Sequence, residues 1–523
     1  MQTGSSIQPR ASRRVHWANH VARHGFAKPH AVALRFRGRS TTWRELDERC
    51  ARTAAVLAGH GVRAGERVAL LLTNRPEFVE VMVGANRLGA VAVPLNFRLS
   101  PSEVEYIIVN CGASVVVVET SLTDLVATVP DSVVRLVVGD DGAERSLEAE
   151  VRTAAPAPMV DVGEDRPAAI MYTSGTTGRP KGAVLSHQNF HAQALTLIRA
   201  WRLFDTESEV NLVATPLFHI GALGSVGPFL LIGATIVLQP TGAFDAAETL
   251  QLLERERVTS VFLVPAQWQA IVDEPTLADR DLALKVICWG AAPATTTLLE
   301  RMNDAFPGMN NVAVFGQTEM SPITCVLEGA DAVRKIGSVG KPIDTVAMRV
   351  VDNEMNDVPP GQIGEIVYRG PGVMAGYWHN EAATAAAFAG GWFHSGDLVR
   401  VDEEGFVYVV DRKKDMIISG GENIYCAEVE DALAAHPDVV EVAVIGRPDE
   451  RWGEVPVAVI VARADSVITA DALGEWLDGR LARYKRPKAV AAVPSLPRNA
   501  SGKVNKPELR SRYGMAAREG ERQ

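Results

Sequence analysis

The chain has 523 residues, which is enough for two or more domains with a sizeable hydrophobic core. Its formal net charge of -10 argues against nucleic-acid binding as its main task, and its hydrophobic content of 47% is ordinary for a globular protein. The five cysteines are far apart and show no metal-site spacing, so we expect reduced thiols in a cytoplasmic protein.

The first 44 residues contain no acidic side chain, but they contain eight arginines and Lys28. Within them, Trp17–Phe26 has the pattern of an amphipathic helix, and no signal-peptide pattern is found. Two interpretations of the charge stay open. One is a solvated basic face, and the other is a peripheral contact with anionic lipid at the inner face of the membrane.

Short segments rich in valine, leucine and isoleucine alternate with helical patterns over the first four hundred residues. The predicted strands are Arg67–Leu72, Ala90–Leu95, Ser114–Glu119, Asn211–Pro216, Thr235–Gln239, Val258–Pro265 and Lys285–Gly290. The predicted helices between several of them are Pro76–Leu88, Ser102–Asn110 and Ala246–Arg257. This alternation predicts a layered α/β domain with substantially parallel sheets.

A stretch rich in glycine and hydroxyl groups, Tyr172–Gly182, follows an apolar run at Ala168–Met171 that predicts a buried strand. Ser186 is the predicted cap of the helix that follows. Glycines let the backbone approach anionic oxygens, hydroxyls donate hydrogen bonds, and lysine supplies a cation. Because Pro180 stands where the Walker loop needs glycine, this is not that motif. We predict a phosphate-binding loop formed by Thr173, Ser174, Gly175, Thr176, Thr177, Gly178 and Lys181.

The segment Val210–Phe244 carries no formal charge and is longer than a membrane span. Three prolines and five glycines interrupt it, so a single helix cannot run through it. In lipid, the broken backbone would leave polar groups unpaired. We therefore predict a buried strand, loop, helix and strand of a large α/β core.

The pattern changes near Asp411–Asp415, after a predicted hairpin strand at Gly405–Val410. The sequence then predicts a helix, two strands and a second helix at Glu428–Ala435, Val439–Ile445, Val455–Ala462 and Ala470–Leu481. A unit of about a hundred residues is a common domain size, so we predict a separate C-terminal domain.

The stretch Tyr172–Gly182 closely resembles the signature loop of the adenylate-forming superfamily, which includes acyl-CoA synthetases, adenylation domains of peptide synthetases and luciferase. Further matches extend from about Thr42 to Tyr513. Phe262–Ile271 and Val410–Glu430 resemble mycobacterial-type fatty-acyl-CoA ligases in particular. The resemblance implies a large N-terminal domain at residues 1–411, a hinge at 412–415 with Lys414 as its pivot, and a small mobile α+β domain at 416–523.

The resemblance also implies ATP, Mg²⁺ and coenzyme A as the reactants and cofactor beside the acid. Acyl-AMP and pyrophosphate form first, and acyl-CoA and AMP follow. Thr318 is then expected to reach the α-phosphate, and Glu319 to bind Mg²⁺. Asp397 and Arg412 match the pair that holds the ribose. The adenine is expected to lie against Gly290, Ala291, Ala292, Pro293, Phe315, Gly316 and Gln317.

Two further residues are implied to act on the acid. His219, in the motif Pro216–His219, is expected to line the acyl pocket and order the carboxylate. Lys503 is expected to bridge the carboxylate and the α-phosphate, which makes Lys503, His219, Thr318 and Glu319 the predicted catalytic residues. The loop Ser419, Gly420 and Gly421 matches the segment that forms the pantetheine tunnel for coenzyme A.

The acid itself is predicted to be a medium- or long-chain fatty acid. Gly221 and Gly224 lie in an uncharged segment after His219, and small residues at that spacing leave room beside a helix for an apolar chain. Trp268 and Trp289 can close the tunnel and shorten the preferred chain. The alternatives are an aromatic or short-chain acid–CoA ligase, an acyl-AMP ligase that serves a carrier protein, and a non-catalytic fatty-acid-binding or uptake protein. A homodimer stays open.

Overall fold

The computed structural model describes residues 10–140, 142–173, 179–204, 207–292, 294–329, 331–464, 466, 468–499 and 502–514. Contacts divide the chain into two compact units. The first comprises Met1–Met348 and Tyr368–Phe393, and the second comprises Arg349–Val367 and His394–Gln523. The predicted hinge at residues 412–415 falls within the second unit, and the predicted domain boundary stays a prediction.

The α-helices, in chain order, are α1 (Trp17–Ala27), α2 (Trp43–Gly59), α3 (Pro76–Arg87), α4 (Pro101–Cys111), α5 (Leu147–Thr153), α6 (His187–Ala200), α7 (Ile220–Ile232), α8 (Ala246–Arg255), α9 (Pro265–Asp273), α10 (Thr296–Ala305), α11 (Asp331–Arg334), α12 (Glu381–Ala387), α13 (Cys426–Ala434), α14 (Ala470–Trp476) and α15 (Lys506–Tyr513). Their starts follow the sequence signals. Ser186, for example, caps α6 as predicted, because its hydroxyl accepts the N–H of Asn189.

The strands are β1 (Val32–Phe36), β2 (Arg39–Thr42), β3 (Arg67–Leu71), β4 (Val91–Pro94), β5 (Ala113–Glu119), β6 (Val134–Val138), β7 (Pro167–Thr173), β8 (Lys181–Ser186), β9 (Val210–Val213), β10 (Thr235–Leu238), β11 (Ser260–Leu263), β12 (Val286–Gly290), β13 (Asn310–Gly316), β14 (Ile323–Glu328), β15 (Lys341–Pro342), β16 (Ala347–Val351), β17 (Ile363–Arg369), β18 (Gly376–Tyr377), β19 (Phe393–Val401), β20 (Val407–Arg412), β21 (Ile417–Ser419), β22 (Glu422–Ile424), β23 (Val439–Asp449), β24 (Gly453–Ala462) and β25 (Ala489–Ala492).

Among the described residues, the strands of the first unit form two sheets. The larger has the order β15-β14-β13-β12-β11-β9-β10-β1-β2, and its pairs from β13 through to β1 are parallel. The smaller has the order β18-β8-β7-β4-β3-β5-β6, and its pairs from β7 to β6 are parallel. The predicted layered α/β class with parallel-rich sheets is confirmed, and the predicted strands differ from the observed ones only at their ends.

The uncharged segment forms β9, α7 and β10, as the prediction of strand, loop, helix and strand requires. Pro228 lies inside α7, which ends at Gly233 in a left-handed conformation with φ of 72°. None of the helices in the described ranges combines the length and apolar character that crossing a membrane requires.

Several basic side chains of the N-terminal segment have acidic partners. Arg14 pairs with Asp161 at 2.7 Å and with Glu164 at 2.9 Å, and Arg35 contacts Glu256 at 3.4 Å. These partners reduce the positive field that the first 44 residues suggest by themselves. The membrane contact stays a prediction. All five cysteines are buried thiols.

The second unit contains a sheet of order β16-β17-β19-β20 and another of order β22-β21-β24-β23, with β25 beside β24. The latter buries Val429 and Leu433 of α13 against Val444 and Ile460 of the sheet, and this packing gives the smaller unit its α+β character. The helix predicted at Ala470–Leu481 is shorter than expected. It ends at Trp476, and Gly479 just beyond has a left-handed φ of 72°.

Candidate active site

The carboxyl ends of parallel strands in the larger sheet carry most of the predicted residues of the first unit. Gly290 ends β12, and Phe315 lies at the end of the neighbouring strand β13. His219 follows β9 and is the N-cap residue of α7. In open α/β sheets ligands bind at this edge, so the fold places these residues where a substrate site is expected.

The segment after Gly290 has backbone constraints that suit a flat ligand. A Cβ added at Gly290 would lie 2.3 Å from the carbonyl oxygen of Val314, so no side chain fits there. Ala291 has a positive φ of 65°, and both Ala291 and Ala292 are exposed. Pro293 lies outside the described residues. The exposed small residues beside Phe315 are consistent with the predicted adenine contact.

The turn after β13 is fixed by its backbone. A Cβ at Gly316 would lie 1.9 Å from the carbonyl oxygen of Pro322, and the N–H of Gln317 donates to that same oxygen at 2.8 Å. A short 3-10 helix, Thr318–Met320, then places Glu319 in a buried position. The hydroxyl of Tyr377 donates to Oε1 of the Glu319 carboxylate at 2.9 Å.

The two ends of the predicted phosphate-binding loop are described. Thr173 ends β7 and pairs with Lys181, the first residue of β8, in an antiparallel register. Nζ of Lys181 lies 5.4 Å from the ring centroid of Tyr377. The residues Ser174, Gly175, Thr176, Thr177 and Gly178 lie outside the described residues, so their predicted role stays a prediction.

Helix α4 contacts both flanks of that loop. The hydroxyl of Tyr172 donates to Oδ1 of Asn110 at 2.5 Å, and the hydroxyl of Tyr106 donates to the carbonyl of Pro180 at 3.5 Å. Burial raises the pKa of Tyr172, which therefore stays a neutral donor. Neither Asn110 nor Tyr106 stands in a motif that the sequence singles out.

Helix α6 contacts the loop that carries Glu319 and a second loop at residues 371–373. The buried amide of Gln193 donates to the carbonyls of Met320 at 3.0 Å and Ile323 at 2.8 Å. The amide of Asn189 donates to the carbonyls of Pro371 at 2.6 Å and Val373 at 3.0 Å. Both side chains were missed from the sequence, where they look like ordinary polar residues of a helix.

The glycine positions of α7 face ring-bearing side chains. A Cβ at Gly221 would lie 3.5 Å from the Phe262 ring, and one at Gly224 would lie 3.0 Å from Cδ of Pro322. The structure therefore does not show the open space beside the helix that the sequence suggested. Beside His219 itself, the ring of Phe218 lies at 4.5 Å between centroids.

Both predicted tunnel tryptophans are buried and hydrogen-bonded. The indole of Trp268 donates to the carbonyl of Cys288 at 2.9 Å and meets the Phe306 ring edge-on at 5.5 Å. The indole of Trp289 donates to Oδ1 of Asn311 at 3.0 Å. These contacts place both rings in the packing of the larger sheet. Their role as ends of an acyl tunnel stays a prediction.

The predicted ribose pair lies in the second unit as cross-strand neighbours. Asp397 on β19 faces Arg412 on β20, and Nε of Arg412 lies 2.8 Å from the Asp397 carboxylate. Ser395 fixes the turn before Asp397, because its hydroxyl accepts the N–H of Asp397 at 2.9 Å and donates to the carbonyl of Ile366 at 2.6 Å. The structure brings these two residues together, and their role in holding the ribose stays a prediction.

A buried carboxylate, Glu365, joins the segments around this pair. It accepts the N–H of Gly396 at 3.1 Å and contacts Nδ1 of His394 at 3.1 Å and Nζ of Lys413 at 3.0 Å. Burial opposes ionisation, but hydrogen bonds from His394 and Lys413 lower the pKa of Glu365 below its ordinary value. Nothing in the local sequence around Glu365 indicates this role.

The remaining predicted residues also lie in the second unit. Lys503 is exposed, and its backbone is held by Asn499, whose Oδ1 accepts the Lys503 N–H at 3.0 Å. Gly420 and Gly421 form a two-residue hairpin turn after Ser419, with φ values of 61° and 87°. Lys414 lies in the turn that follows β20. Their roles in catalysis, coenzyme A binding and hinge motion stay predictions.

The residues around Glu319 fit a magnesium ion that arrives with ATP. Across the described ranges, no group of three or more histidine, cysteine, aspartate or glutamate side chains is arranged to hold a metal by itself. A single buried carboxylate is instead suited to Mg²⁺, which takes oxygen ligands and is bound largely through substrate phosphates and water. Glu319 would hold it.

Comparisons with known proteins identify the family of this chain. A family model described as AMP-binding enzyme matches residues 21–378, and one described as AMP-binding enzyme C-terminal domain matches residues 428–503. The structure of o-succinylbenzoate coenzyme A synthetase from Bacillus subtilis, in complex with ATP and magnesium ion, has a TM-score of 0.83 at 32% identity. The match covers 94% of this chain and 99% of that chain.

Three curated relatives match along nearly their whole length. Feruloyl-CoA synthase of an Amycolatopsis species is 44% identical over 490 residues, covering 93% of this chain and 96% of its own. Indoleacetate–CoA ligase of Aromatoleum aromaticum is 40% identical over 499 residues, and the match covers 94% of this chain and 96% of that protein. Long-chain-fatty-acid–CoA ligase FadD13 of Mycobacterium tuberculosis is 37% identical over 481 residues, and the match covers 90% of this chain and 93% of that protein.

These relatives confirm the resemblance carried by the signature stretch, including the mycobacterial fatty-acyl-CoA ligase. Feruloyl-CoA synthase and indoleacetate–CoA ligase are both more similar to this chain than FadD13 is. The chain therefore belongs to the AMP-binding enzyme family of adenylate-forming enzymes, and it is an acid–CoA ligase that uses ATP, Mg²⁺ and coenzyme A.

Proposed function

We propose that the acid joined to coenzyme A is an aromatic carboxylic acid rather than a fatty acid. The observation that carries the proposal is the packing of α7, where Phe262 and Pro322 fill the space beside Gly221 and Gly224. The Phe262 ring beside Gly221, two residues after His219, suits a planar acid, because aromatic rings gain from stacked or edge-to-face contacts. A long flexible chain would need an open groove along the helix.

A buried polar group beneath the second turn of α7 supports the same proposal. Nδ2 of Asn211 donates to the carbonyl of Ser225 at 3.4 Å, and Asn211 is the register partner of Ser260 on the next strand. Oδ1 of Asn211 and Oγ of Ser260 are buried and find no hydrogen-bond partner among the described residues. Buried polar atoms are normally paired, and a hydroxyl or N–H group on an aromatic acid supplies a partner that an alkyl chain lacks.

The distance between His219 and this polar group also suits an aromatic acid. Ser225 follows His219 by six positions on α7, which corresponds to about 9 Å along a helix. An acid whose carboxylate lies near His219 could therefore present a ring substituent to Asn211. The relatives support an aromatic acid as well, since feruloyl and indoleacetate groups both carry a ring with a hydroxyl or N–H donor.

The residues have distinct tasks in the proposed reaction. A carboxylate oxygen attacks the α-phosphorus of ATP, the bond to the β-phosphate oxygen breaks, and pyrophosphate leaves. Lys181 and Thr318 bind phosphate oxygens, and Lys503 offsets the charge where the carboxylate meets the α-phosphate. The thiol sulfur of coenzyme A then attacks the acyl carbon, the carbon–oxygen bond to AMP breaks, and the thiol proton passes to solvent. Bound Mg²⁺ neutralises charge on the phosphate oxygens.

A substrate panel tests the proposal. Pyrophosphate release is measured with ferulate, cinnamate, indoleacetate, benzoate, octanoate and palmitate, each with and without coenzyme A. We expect kcat/KM for ferulate or indoleacetate to exceed that for palmitate by at least about 10²-fold, because a site with unpaired polar groups discriminates strongly against acids that cannot pair them. A higher kcat/KM for palmitate would restore the fatty-acid prediction.

Two controls separate the remaining alternatives. An acyl-AMP ligase for a carrier protein would release pyrophosphate but form no thioester with coenzyme A. The Asn211→Leu variant should lose the preference for ferulate over cinnamate while it still favours cinnamate over palmitate. Loss of all activity at once would instead indicate that Asn211 is structural, and the panel with the unmodified enzyme would still decide the acid class.

A further inference from the structure

Tyr377 contacts two residues of the first unit that are predicted to bind the metal-bound triphosphate, and the inference below rests on that proposed role. Its hydroxyl donates to Oε1 of Glu319 at 2.9 Å, and its ring centroid lies 5.4 Å from Nζ of Lys181. Glu319 belongs to the turn after the larger sheet, and Lys181 begins β8 of the smaller sheet. One side chain therefore touches both the predicted metal ligand and the predicted phosphate-binding lysine.

The backbone around Tyr377 is tied to the same two elements. Tyr377 pairs with Ala183 on β8, and the next N–H, that of Trp378, donates to the carbonyl of Gly182 at 2.7 Å. Lys181 lies two residues before Ala183, so both project from one face of the strand and Lys181 is a diagonal neighbour of Tyr377. On the other side, the N–H of Met374 donates to the carbonyl of Glu319 at 2.8 Å.

The segment also has an independent anchor beyond the site. The N–H of Tyr377 donates to Oγ1 of Thr384 at 2.9 Å, and that hydroxyl donates to the carbonyl of Asn380 at 2.8 Å. A Cβ at Gly376 would lie 2.9 Å from the Thr384 side chain, so only glycine fits before the tyrosine. The ring is thus presented from a fixed backbone and does not depend on a bound ligand for its place.

We propose that Tyr377 is a positioning residue that holds the Glu319 carboxylate and the Lys181 ammonium at a fixed spacing for a metal-bound triphosphate. The phenol hydrogen bond orients one carboxylate oxygen, and such outer-shell donors to metal ligands typically change metal affinity or activity by about 10- to 100-fold when removed. The ring face attracts the ammonium group within the roughly 6 Å range of a cation–π contact.

The two contacts can be separated by substitution. Tyr377→Phe removes the hydroxyl donated to Glu319 and keeps the ring that faces Lys181. Tyr377→Leu removes both the hydroxyl and the aromatic ring. Tyr484→Phe, at an exposed tyrosine of the second unit, is the matched control for loss of a phenolic hydroxyl.

The first measurement is equilibrium binding of Mn²⁺ to the complex of enzyme and ATP, followed by electron paramagnetic resonance without acid or coenzyme A. We expect the dissociation constant for Mn²⁺ to rise by about 10- to 100-fold in Tyr377→Phe and to stay unchanged in Tyr484→Phe. The second measurement is binding of ATP without metal. Tyr377→Phe should retain it, whereas Tyr377→Leu should weaken it because Lys181 loses the ring.

Two results with these variants would contradict the proposal. Unchanged Mn²⁺ affinity in Tyr377→Phe would overturn it, whatever happens to thermal stability, because a merely structural tyrosine would lower the melting temperature and leave metal affinity intact. Equal loss of metal-free ATP binding in Tyr377→Phe and Tyr377→Leu would overturn the separate role of the ring. If Tyr377→Leu does not fold, Mn²⁺ binding by Tyr377→Phe decides alone.

Discussion

A histidine stack between α1 and α6 predicts that the first unit loses stability in mild acid. The stack consists of His16 and His20 on one side and His187 and His191 on the other. The rings of His16 and His187 lie 3.7 Å apart at an interplanar angle of 14°, and His20 and His191 lie 6.0 Å apart. His16, His20 and His187 are each less than 5% exposed.

Burial lowers the pKa of His16 to about 4 and those of His20 and His187 to about 3. The ordinary histidine pKa is about 6.5, so below that pH the unfolded chain binds protons that the folded chain excludes. The free energy of unfolding therefore has its full contribution from these neutral histidines above about pH 6.5, and it decreases as the pH falls towards 4. Each histidine should contribute about 1.4 kcal/mol of loss between pH 7.5 and 5.5, or about 4 kcal/mol for the three.

His187→Phe keeps a ring in the stack and removes one titrating group. We expect the loss of stability between pH 7.5 and 5.5 to shrink by about 1.4 kcal/mol in this variant. Urea unfolding of the first unit, followed by tryptophan fluorescence at both pH values, measures the change. His30→Gln is the control, because the His30 side chain is exposed. An unchanged pH dependence in His187→Phe would show that the stack is protonated in the folded protein and refute the reasoning.

Four further predictions concern catalysis and binding. Lys503→Ala should slow acyl-AMP formation by about 10²- to 10³-fold, the usual cost of removing one group that stabilises developing charge, while thioester formation from supplied acyl-AMP survives. Lys414→Pro should keep acyl-AMP formation and block thioester formation in the same pair of half-reaction assays. Glu365→Gln should raise the KM for ATP and destabilise the second unit by about 1–3 kcal/mol, measured by steady-state kinetics and urea unfolding. If the N-terminal segment contacts membrane, sedimentation with vesicles should require anionic lipid and weaken with salt, because charges are screened within about 8–10 Å at physiological ionic strength.

Features encoded in neighbouring residues could be predicted from the sequence. Apolar runs predicted the strands, and Ser186 predicted the start of α6. The resemblance paired Asp397 with Arg412, and the structure has them as cross-strand neighbours. For the strands and the helix cap, the physical cause acts over a few neighbouring residues. The boundaries shifted by a few residues because hydrogen-bond patterns at element ends depend on the packing around them.

Residues that act through distant partners could not be found in this way. Tyr377 lies 58 positions from Glu319, Gln193 lies 127 positions from Met320, and Glu365 lies 48 positions from Lys413. Each of these polar side chains has an ordinary sequence context. Only the fold shows that its donor or acceptor is buried against the loop that carries a functional group, where an unpaired polar atom would be costly.

The preference for a fatty acid rested on a feature that the sequence could not settle, for a related reason. Glycine leaves room only if no other part of the chain fills it, and composition does not reveal what does. Pro322 approaches Gly224, Phe262 approaches Gly221, and the indole of Trp17 lies 3.4 Å from a Cβ placed at Gly227. These side chains come from three separate segments, so the sequence of an apolar, glycine-rich helix does not reveal which of its sides stay open.

The contacts around Lys414 explain why the hinge prediction concentrates on that residue. On one side, Arg412 is held by Asp397, and Lys413 is held by Glu365 at 3.0 Å. On the other side, the carboxylate of Asp415 pairs with Arg510 at 2.7 Å, and its carbonyl accepts the thiol of Cys426 at 3.0 Å. A rotation of the following segment at Lys414 would keep these side-chain contacts, and it would break the hydrogen bonds that the N–H groups of Asp415 and Met416 donate to the carbonyl of Arg412 at 2.9 and 3.2 Å. Fixing its φ with proline should therefore block the second half-reaction more than any proline placed at an anchored neighbour, and acyl-CoA formation at the normal rate by Lys414→Pro would place the hinge elsewhere.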